Sequence, residues 1–222
     1  IVTRDMNSAV NDENQSMVLG GMTKGVTPLD LTAAYASIAN SGKYTKPVFI
    51  TKIENTSGTV LYESTPEIRQ IATAQNAYIM TDIMKDVVNR GTGGRARVRN
   101  FVTVGKTGTT NDEKDIWFAG YTPYYTSALW IGEDQPKDMN KSNDVPSALW
   151  GRIMNRVHSG LPAKNFAAPS GLTKTSICLE SGLKPGPYCT KTASEIFVAG
   201  TEPKEICMEH EAPIETEGLL DD

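Results

Sequence analysis

Seven residues, Val104-Gly105-Lys106-Thr107-Gly108-Thr109-Thr110, place one lysine, three hydroxyls and two glycines side by side. An ammonium and several hydroxyls in so short a run suit the binding of a carboxylate. Glycines leave room for another backbone to come close. On a strand, Thr107 and Thr109 share a face by the period of two, and Lys106 points to the other side. Two hydroxyls on one face can hold one carboxylate between them. A strand at a sheet edge can also take up an extended peptide as an added strand.

The flanking residues support that geometry. Phe101-Val102-Thr103-Val104 is aromatic and β-branched and reads as strand. Asn111-Asp112 is a turn signal, and Ile116 to Tyr121 reads as the returning strand. Thr126 to Gly132 makes a third strand after Pro123-Tyr124-Tyr125, so the three form an antiparallel meander. Trp117, Phe118, Trp130 and Ile131 supply its faces, with Trp117 also a candidate for the cleft rim.

Helices must pack on that meander. Thr27-Pro28-Leu29-Asp30 combines an N-cap, a proline at the first helical position and an acid in the first turn, and predicts a helix to about Asn40. Thr73 to Asn89 predicts a second, with a stripe of Ala77, Met80, Met84, Val87 and Val88, ended by Gly91-Thr92-Gly93-Gly94. Val145 to Ser159 predicts a third, with Leu149, Ile153 and Val157 repeating every four residues. Val48 to Glu54 and Thr59 to Glu63 read as a hairpin across Asn55-Thr56-Ser57-Gly58. The fold class is α+β, an antiparallel sheet packed against helices.

Composition bounds the function. The 222 residues are 39% hydrophobic and 22% charged, an ordinary globular balance. The formal net charge of −4 excludes a nucleic-acid partner as the default reading. No run of about 18 apolar residues is present. Between Val87 and Asn111 there is no acid, but there are Arg90, Arg95, Arg97, Arg99 and Lys106. This stretch either raises the local potential for an anionic substrate or is a solvated loop face.

Beyond Gly160 glycines and prolines become frequent, and a boundary is placed near Leu161, giving regions 1–160 and 161–222. The second region is too small for a good core of its own. It carries all three cysteines, Cys178, Cys189 and Cys207, and its end is acidic, with eight acids and one lysine from Glu202 to Asp222. A disulfide between two cysteines would leave the third free. Alternatively the three cysteines and His210 could hold a tetrahedral zinc, although the spacing matches no standard zinc module. No metal and no cofactor is assigned.

Taken together, Met17 to Gly21, Lys24 to Leu29, Ala34 to Ala36, Gly91 to Gly93, Gly105 to Thr110 and Asp115 to Pro123 give a resemblance. Across most of its first 155 residues the chain resembles the transpeptidase domain of class A penicillin-binding proteins, the Gram-positive type. Lys106-Thr107-Gly108 matches one of the motifs of the serine penicillin-recognising enzymes.

The resemblance implies a penicillin-binding, serine β-lactamase-like fold that is incomplete here. It implies a peptidoglycan D,D-transpeptidase that crosslinks stem peptides ending in D-Ala-D-Ala and is acylated by β-lactams. Lys106 would be catalytic; Thr107, Gly108 and Thr109 would bind substrate; Gly91, Thr92 and Gly93 would line the cleft rim. A glycosyltransferase domain and a membrane anchor on the outer face of the membrane would lie upstream of Ile1. The partners implied are the stem peptide, β-lactams and the missing N-terminal part of the same protein.

Two motifs of that family are not found in place. No Ser-x-Asn occurs, and the single Ser-x-x-Lys is Ser181-Gly182-Leu183-Lys184, after the third motif and followed by Pro185. A helix is disfavoured there, so the nucleophile is expected upstream of Ile1. Two rivals remain. A phosphate-binding loop would need glycine at position 100, which is Asn100, and a helix after the lysine. A non-catalytic cell-wall scaffold would lack the upstream serine. A serine protease is not supported by His158 or His210, neither of which has an obvious nucleophile partner.

Overall fold

A computed structural model of the chain describes residues 15–22, 25–110, 113–135, 137, 142 and 144–211. The turn signal Asn111-Asp112, Lys24 and the end of the acidic tail lie outside the described residues. Two units are present, residues 1–167 and 168–222.

In the first unit, helix α1 spans Pro28–Ala39. Thr27 caps it in both directions: its Oγ1 accepts from the Asp30 N–H at 3.1 Å and donates to the Asp30 carboxylate at 2.7 Å. Gly42, at φ +80°, turns the chain out of the helix where a Cβ would run into the Ala72 carbonyl. Strand β1, Lys43–Thr45, follows. Strands β2, Lys52–Glu54, and β3, Val60–Glu63, form the expected hairpin. Asn55 builds its turn by accepting from the N–H groups of Ser57 and Thr59. Strand β4, Ile68–Gln70, pairs antiparallel with β1, a contact that three-residue strands give no periodicity to reveal.

Helix α2 spans Ala74–Asn89 and is capped by Thr73. Its buried stripe is Ala77, Thr81, Met84 and Val88. Thr81 stands where Met80 was expected, because its hydroxyl bonds both the Ala77 carbonyl and the Tyr121 phenol, each at 2.8 Å. The Thr81 proton goes to the carbonyl, so the phenol donates to Thr81 Oγ1. Burial pushes the Tyr121 phenol well above its usual pKa.

Strands β5, Val104–Thr109, β6, Asp115–Tyr121, and β7, Thr126–Gly132, form the meander in the order β5-β6-β7. Strand β5 begins at Val104 and not at Phe101. Asn100 takes the left-handed conformation at φ 65°, and the Thr103 hydroxyl accepts the Val98 N–H, so residues 98–103 form a tight turn.

Helix α3, Val145–Val157, packs on the meander by another face than its aliphatic repeat indicates. Leu149, Ile153 and Val157 are 40, 47 and 47% exposed. The buried face is Ser147, Trp150, Gly151 and Met154. Gly151 leaves no room for a Cβ against the Arg95 carbonyl, and that closeness lets the Trp150 ring reach Phe118, centroid to centroid 5.1 Å. The core cluster on this side is Val88, Ala96, Val98, Phe118, Trp150 and Met154. A second cluster joins Met84, Val104 and Tyr121 to Tyr35, Ile38 and Phe166.

Phe166 against Tyr121, at 5.5 Å, and the Tyr124 hydroxyl donating to the Pro162 carbonyl keep residues 161–167 with the first unit. The division therefore falls between Ala167 and Ala168, beyond the expected Leu161.

His158 is a satisfied core histidine. Its Nδ1–H donates to the Met154 carbonyl at 2.7 Å, leaving Nε2 to accept from the Thr122 hydroxyl at 2.7 Å. The rings of Phe101, Tyr124 and Tyr125 surround it. Replacing Thr122 by valine (T122V) keeps the shape and strands the buried Nε2. The expected loss is about 1–3 kcal/mol of unfolding free energy, read from urea denaturation of the chain; an unchanged midpoint would show that the bond contributes nothing.

A candidate peptide-binding edge on strand β5

Strand β5 pairs with β6 alone among the described strands, so its other side is an edge. Register places Gly105 opposite Gly120, Lys106 opposite Ala119, Thr107 opposite Phe118 and Gly108 opposite Trp117. Thr107 and Thr109 therefore share the face of Phe118, and Lys106 and Gly108 share the face of Trp117.

The Phe118 ring sets the local geometry. A Cβ on Gly105 would fall 2.5 Å from Phe118 Cζ, one on Gly120 2.8 Å from Cε1, and one on Gly93 3.2 Å from Cε2. Three glycines from three segments thus lie against one ring. The ring's seat brings the 91–94 loop against β5. There Thr92 Oγ1 and Thr107 Oγ1 are 2.7 Å apart. A hydroxyl has one proton and two lone pairs. Whichever threonine donates, the other keeps a proton for a further acceptor.

The structure thus brings Thr92 to Thr107, with Gly91 exposed beside them and Gly93 buried behind. Thr109 is exposed on the same face as Thr107. Lys106 is exposed, and its Nζ donates to the Thr107 carbonyl at 2.9 Å. Trp117 is not brought to the threonine face. It lies beside Gly108, whose added Cβ would sit 3.3 Å from Trp117 Cβ, and its ring meets that of Trp130 at 6.0 Å.

The far end of β5 is locked by a residue that the sequence reading did not single out. Asp115 donates its N–H to Thr110 Oγ1 at 2.9 Å and accepts from the Trp130 indole at 2.9 Å. Its place directly before an aromatic strand and five residues after a threonine was the available signal.

The basic stretch is largely spoken for. Arg90 pairs with Asp86, and Arg95 with Asp144. Arg97 donates to the carbonyls of Val88 and Asn89 at the C-terminal end of α2, where a cation suits the helix dipole. A broad hollow of about 1210 Å³ lies along α3, lined by Arg95, Arg99, Arg152 and Arg156 among others, and not along β5. Its size does not make it the better site, because its one histidine, His158, is already bonded through both ring nitrogens.

Lys106 lies within a strand that runs on to Thr109, so no helix opens after it. That geometry is not a phosphate-binding loop. Ser181 of the stray Ser-x-x-Lys lies in a turn, its hydroxyl accepting the Leu183 N–H, and the Lys184 backbone bonds Glu205 and Cys207. Neither residue is on a helix.

Residues 5–155 match the family described as the penicillin binding protein transpeptidase domain, and residues 168–212 match the penicillin-binding protein 1A C-terminal domain. The chain belongs to the penicillin-binding protein transpeptidase family, with its α+β fold.

Among its relatives is penicillin-binding protein 1A of Clostridium perfringens, 38% identical over 188 residues, covering 81% of this chain and 23% of the relative. Penicillin-binding protein 1A of Aquifex aeolicus is 36% identical over 195 residues, covering 86% of this chain and 26% of the relative. The crystal structure of penicillin-binding protein 1A from Haemophilus influenzae superposes with a TM-score of 0.77 at 22% identity, over 88% of this chain and 35% of that one. The chain therefore spans about a quarter of the length of the curated relatives it matches. Among the described residues no helix is long and apolar enough to cross a membrane.

Gly105→Ala pushes a methyl group into the Phe118 ring and the Ala119 carbonyl and is expected to cost about 1–3 kcal/mol. Gly108→Ala meets only the 3.3 Å contact with Trp117 and should cost less. Thermal unfolding of the two variants reads the difference; equal midpoints would remove Phe118 as the organiser of this edge.

Proposed function

We propose that this chain supplies one wall of a peptidoglycan D,D-transpeptidase site, with the attacking serine contributed by polypeptide outside these 222 residues. The observation that carries this reading is the edge position of β5, with Thr107 and Thr109 on one face and Lys106 exposed. The resemblance at Lys106-Thr107-Gly108 and the family membership support it.

In this reading the donor stem peptide lies along the edge of β5. Its terminal D-alanine carboxylate accepts hydrogen bonds from Thr107 and Thr109, and Thr92 holds the Thr107 hydroxyl in its rotamer. Lys106 adds positive charge and assists proton transfer. The serine oxygen attacks the carbonyl between the two D-alanines while its proton passes to a neighbouring base. The oxyanion is met by backbone donors that include the N–H after Gly108. The C–N bond breaks, the terminal D-alanine leaves with a proton on its amine, and an acyl-enzyme remains. An amine of a neighbouring strand then takes the acyl group and releases the serine. A β-lactam offers a carboxylate and a strained amide in the same arrangement and stays as the acyl adduct. An anchor outside this chain would hold the enzyme on the outer face of the membrane.

Labelled penicillin tests this directly. The full-length protein should form a covalent adduct, and the 222-residue chain alone should form none. In the full-length protein, Lys106→Ala and Thr107→Val should slow acylation by about 10²-fold or more. An adduct on the isolated chain, at Ser181 or elsewhere, would refute the division of the site between segments. Unchanged acylation in both variants would refute the role given to β5.

A further inference from the structure

The second unit contains an antiparallel hairpin of β8, Leu172–Cys178, and β9, Thr192–Val198. A lone hairpin is at best marginally stable in water. Among the described residues of this unit only Cys178 and Cys207 are buried, at 0 and 3% exposure. Its centre is therefore not a cluster of aliphatic side chains but a group of thiols.

Four ligand atoms meet there. The sulfurs of Cys178, Cys189 and Cys207 and a ring nitrogen of His210 all lie within 4.8 Å of one another. The Cys178 sulfur is 3.2 Å from His210 Nε2. No disulfide joins any of the three cysteines, so of the two uses that the sequence leaves open, a bridge and a metal site, the bridge is not formed. We propose that Cys178, Cys189, Cys207 and His210 form a structural zinc site that holds the second unit together. This inference is independent of the function proposed for β5.

The fit is chemical and geometric. Zinc bonds thiolate sulfur at about 2.3 Å and imidazole nitrogen at about 2.0–2.1 Å in a tetrahedron, and four protein ligands close a structural site. Tetrahedral bond angles then set neighbouring sulfurs about 3.8 Å apart, so the observed group needs a contraction of only about 1 Å. Sulfur and imidazole donors together favour zinc over magnesium or calcium, which take oxygen. Three cysteines suit this use better than a disulfide, which would leave one thiol and the histidine unused.

The backbone is arranged to bring the ligands in. The Cys178 N–H donates to the Leu183 carbonyl and the Gly182 N–H to the Cys178 carbonyl, each at 2.8 Å, which curls the chain around the first sulfur. The backbone N–H groups of Ser181 and Glu180 face that sulfur. The Gly186 N–H donates to the Cys189 sulfur at 3.2 Å. N–H donors of this kind stabilise a metal-bound thiolate and orient it. Gly186 has no room for a Cβ against the Cys207 carbonyl, and that contact carries Cys189 to the group. Lys184 bonds Cys207 and Glu205 through backbone groups, which brings Cys207 and its neighbour His210 alongside. Glu180 lies 3.5 Å from the same Nε2, and Lys191 holds its carboxylate at 3.0 Å.

The test uses the whole 222-residue chain, prepared with reductant and stripped of metal. Added zinc should be retained through gel filtration at one ion per chain and should protect all three thiols from alkylation until a chelator is added. Cobalt(II) in its place should give the visible bands of a tetrahedral centre and a near-ultraviolet thiolate charge-transfer band, both displaced by zinc. Cys189→Ser, at a partly buried ligand, should lose the ion and leave the second unit open to proteolysis, while the helical circular dichroism, which comes from α1, α2 and α3 of the first unit, stays as in the wild type. Two results would overturn the proposal: equal alkylation of the wild-type thiols with and without zinc, or a mass lowered by one hydrogen pair, marking a disulfide, in protein prepared with zinc present.

Discussion

The first unit depends on how one aromatic ring is seated. Phe118 lies across the paired glycines of two neighbouring strands and under the loop that follows α2. Its other side meets Trp150 of α3. Helix, loop and edge strand are thus referred to a single rigid body. Close-packed interiors transmit small displacements because they contain few voids. The hydrogen bond between Thr92 and Thr107, which joins the loop to β5, is a product of that packing and not of local chain preference. The hydroxyls at the edge are held from behind.

Much of this was legible in the chain. The caps of α1 and α2 stand in the sequence as Thr-Pro-Leu-Asp and Thr73, and both helices begin there. The three strands of the meander show their aromatic and β-branched residues plainly. The errors came where burial is not carried by aliphatic side chains. On α3 the aliphatic repeat faces outward, and the buried face uses serine and glycine to bring a tryptophan inward. On α2 a threonine replaces a methionine in the core because its hydroxyl satisfies a buried phenol. A hydrophobic count is blind to both cases, since each is set by a partner far away in sequence.

The site was legible to a different degree. The residue types of β5 could be named from their spacing and the glycine loop from the family resemblance, but not the bond that joins them, which spans fifteen positions. The same limit applied in the second unit. Its cysteines and histidine were visible as candidates, and their uneven spacing left a bridge and a metal site open. What brings them to one point is a glycine with no space for a side chain and a short backbone ladder, neither of which has a periodic signature.

Lys106 has a consequence beyond its place among the hydroxyls. A sheet that ends in an unpaired strand invites a second copy of itself, and glycine-rich edges resist that poorly because they are flat and unencumbered. Charge on such a border is a common safeguard, since two ammonium groups brought together repel. If Lys106 has the role proposed for it, the same charge that meets an anionic peptide would also keep like edges from joining, making selectivity for a guest and solubility of the host two effects of one side chain.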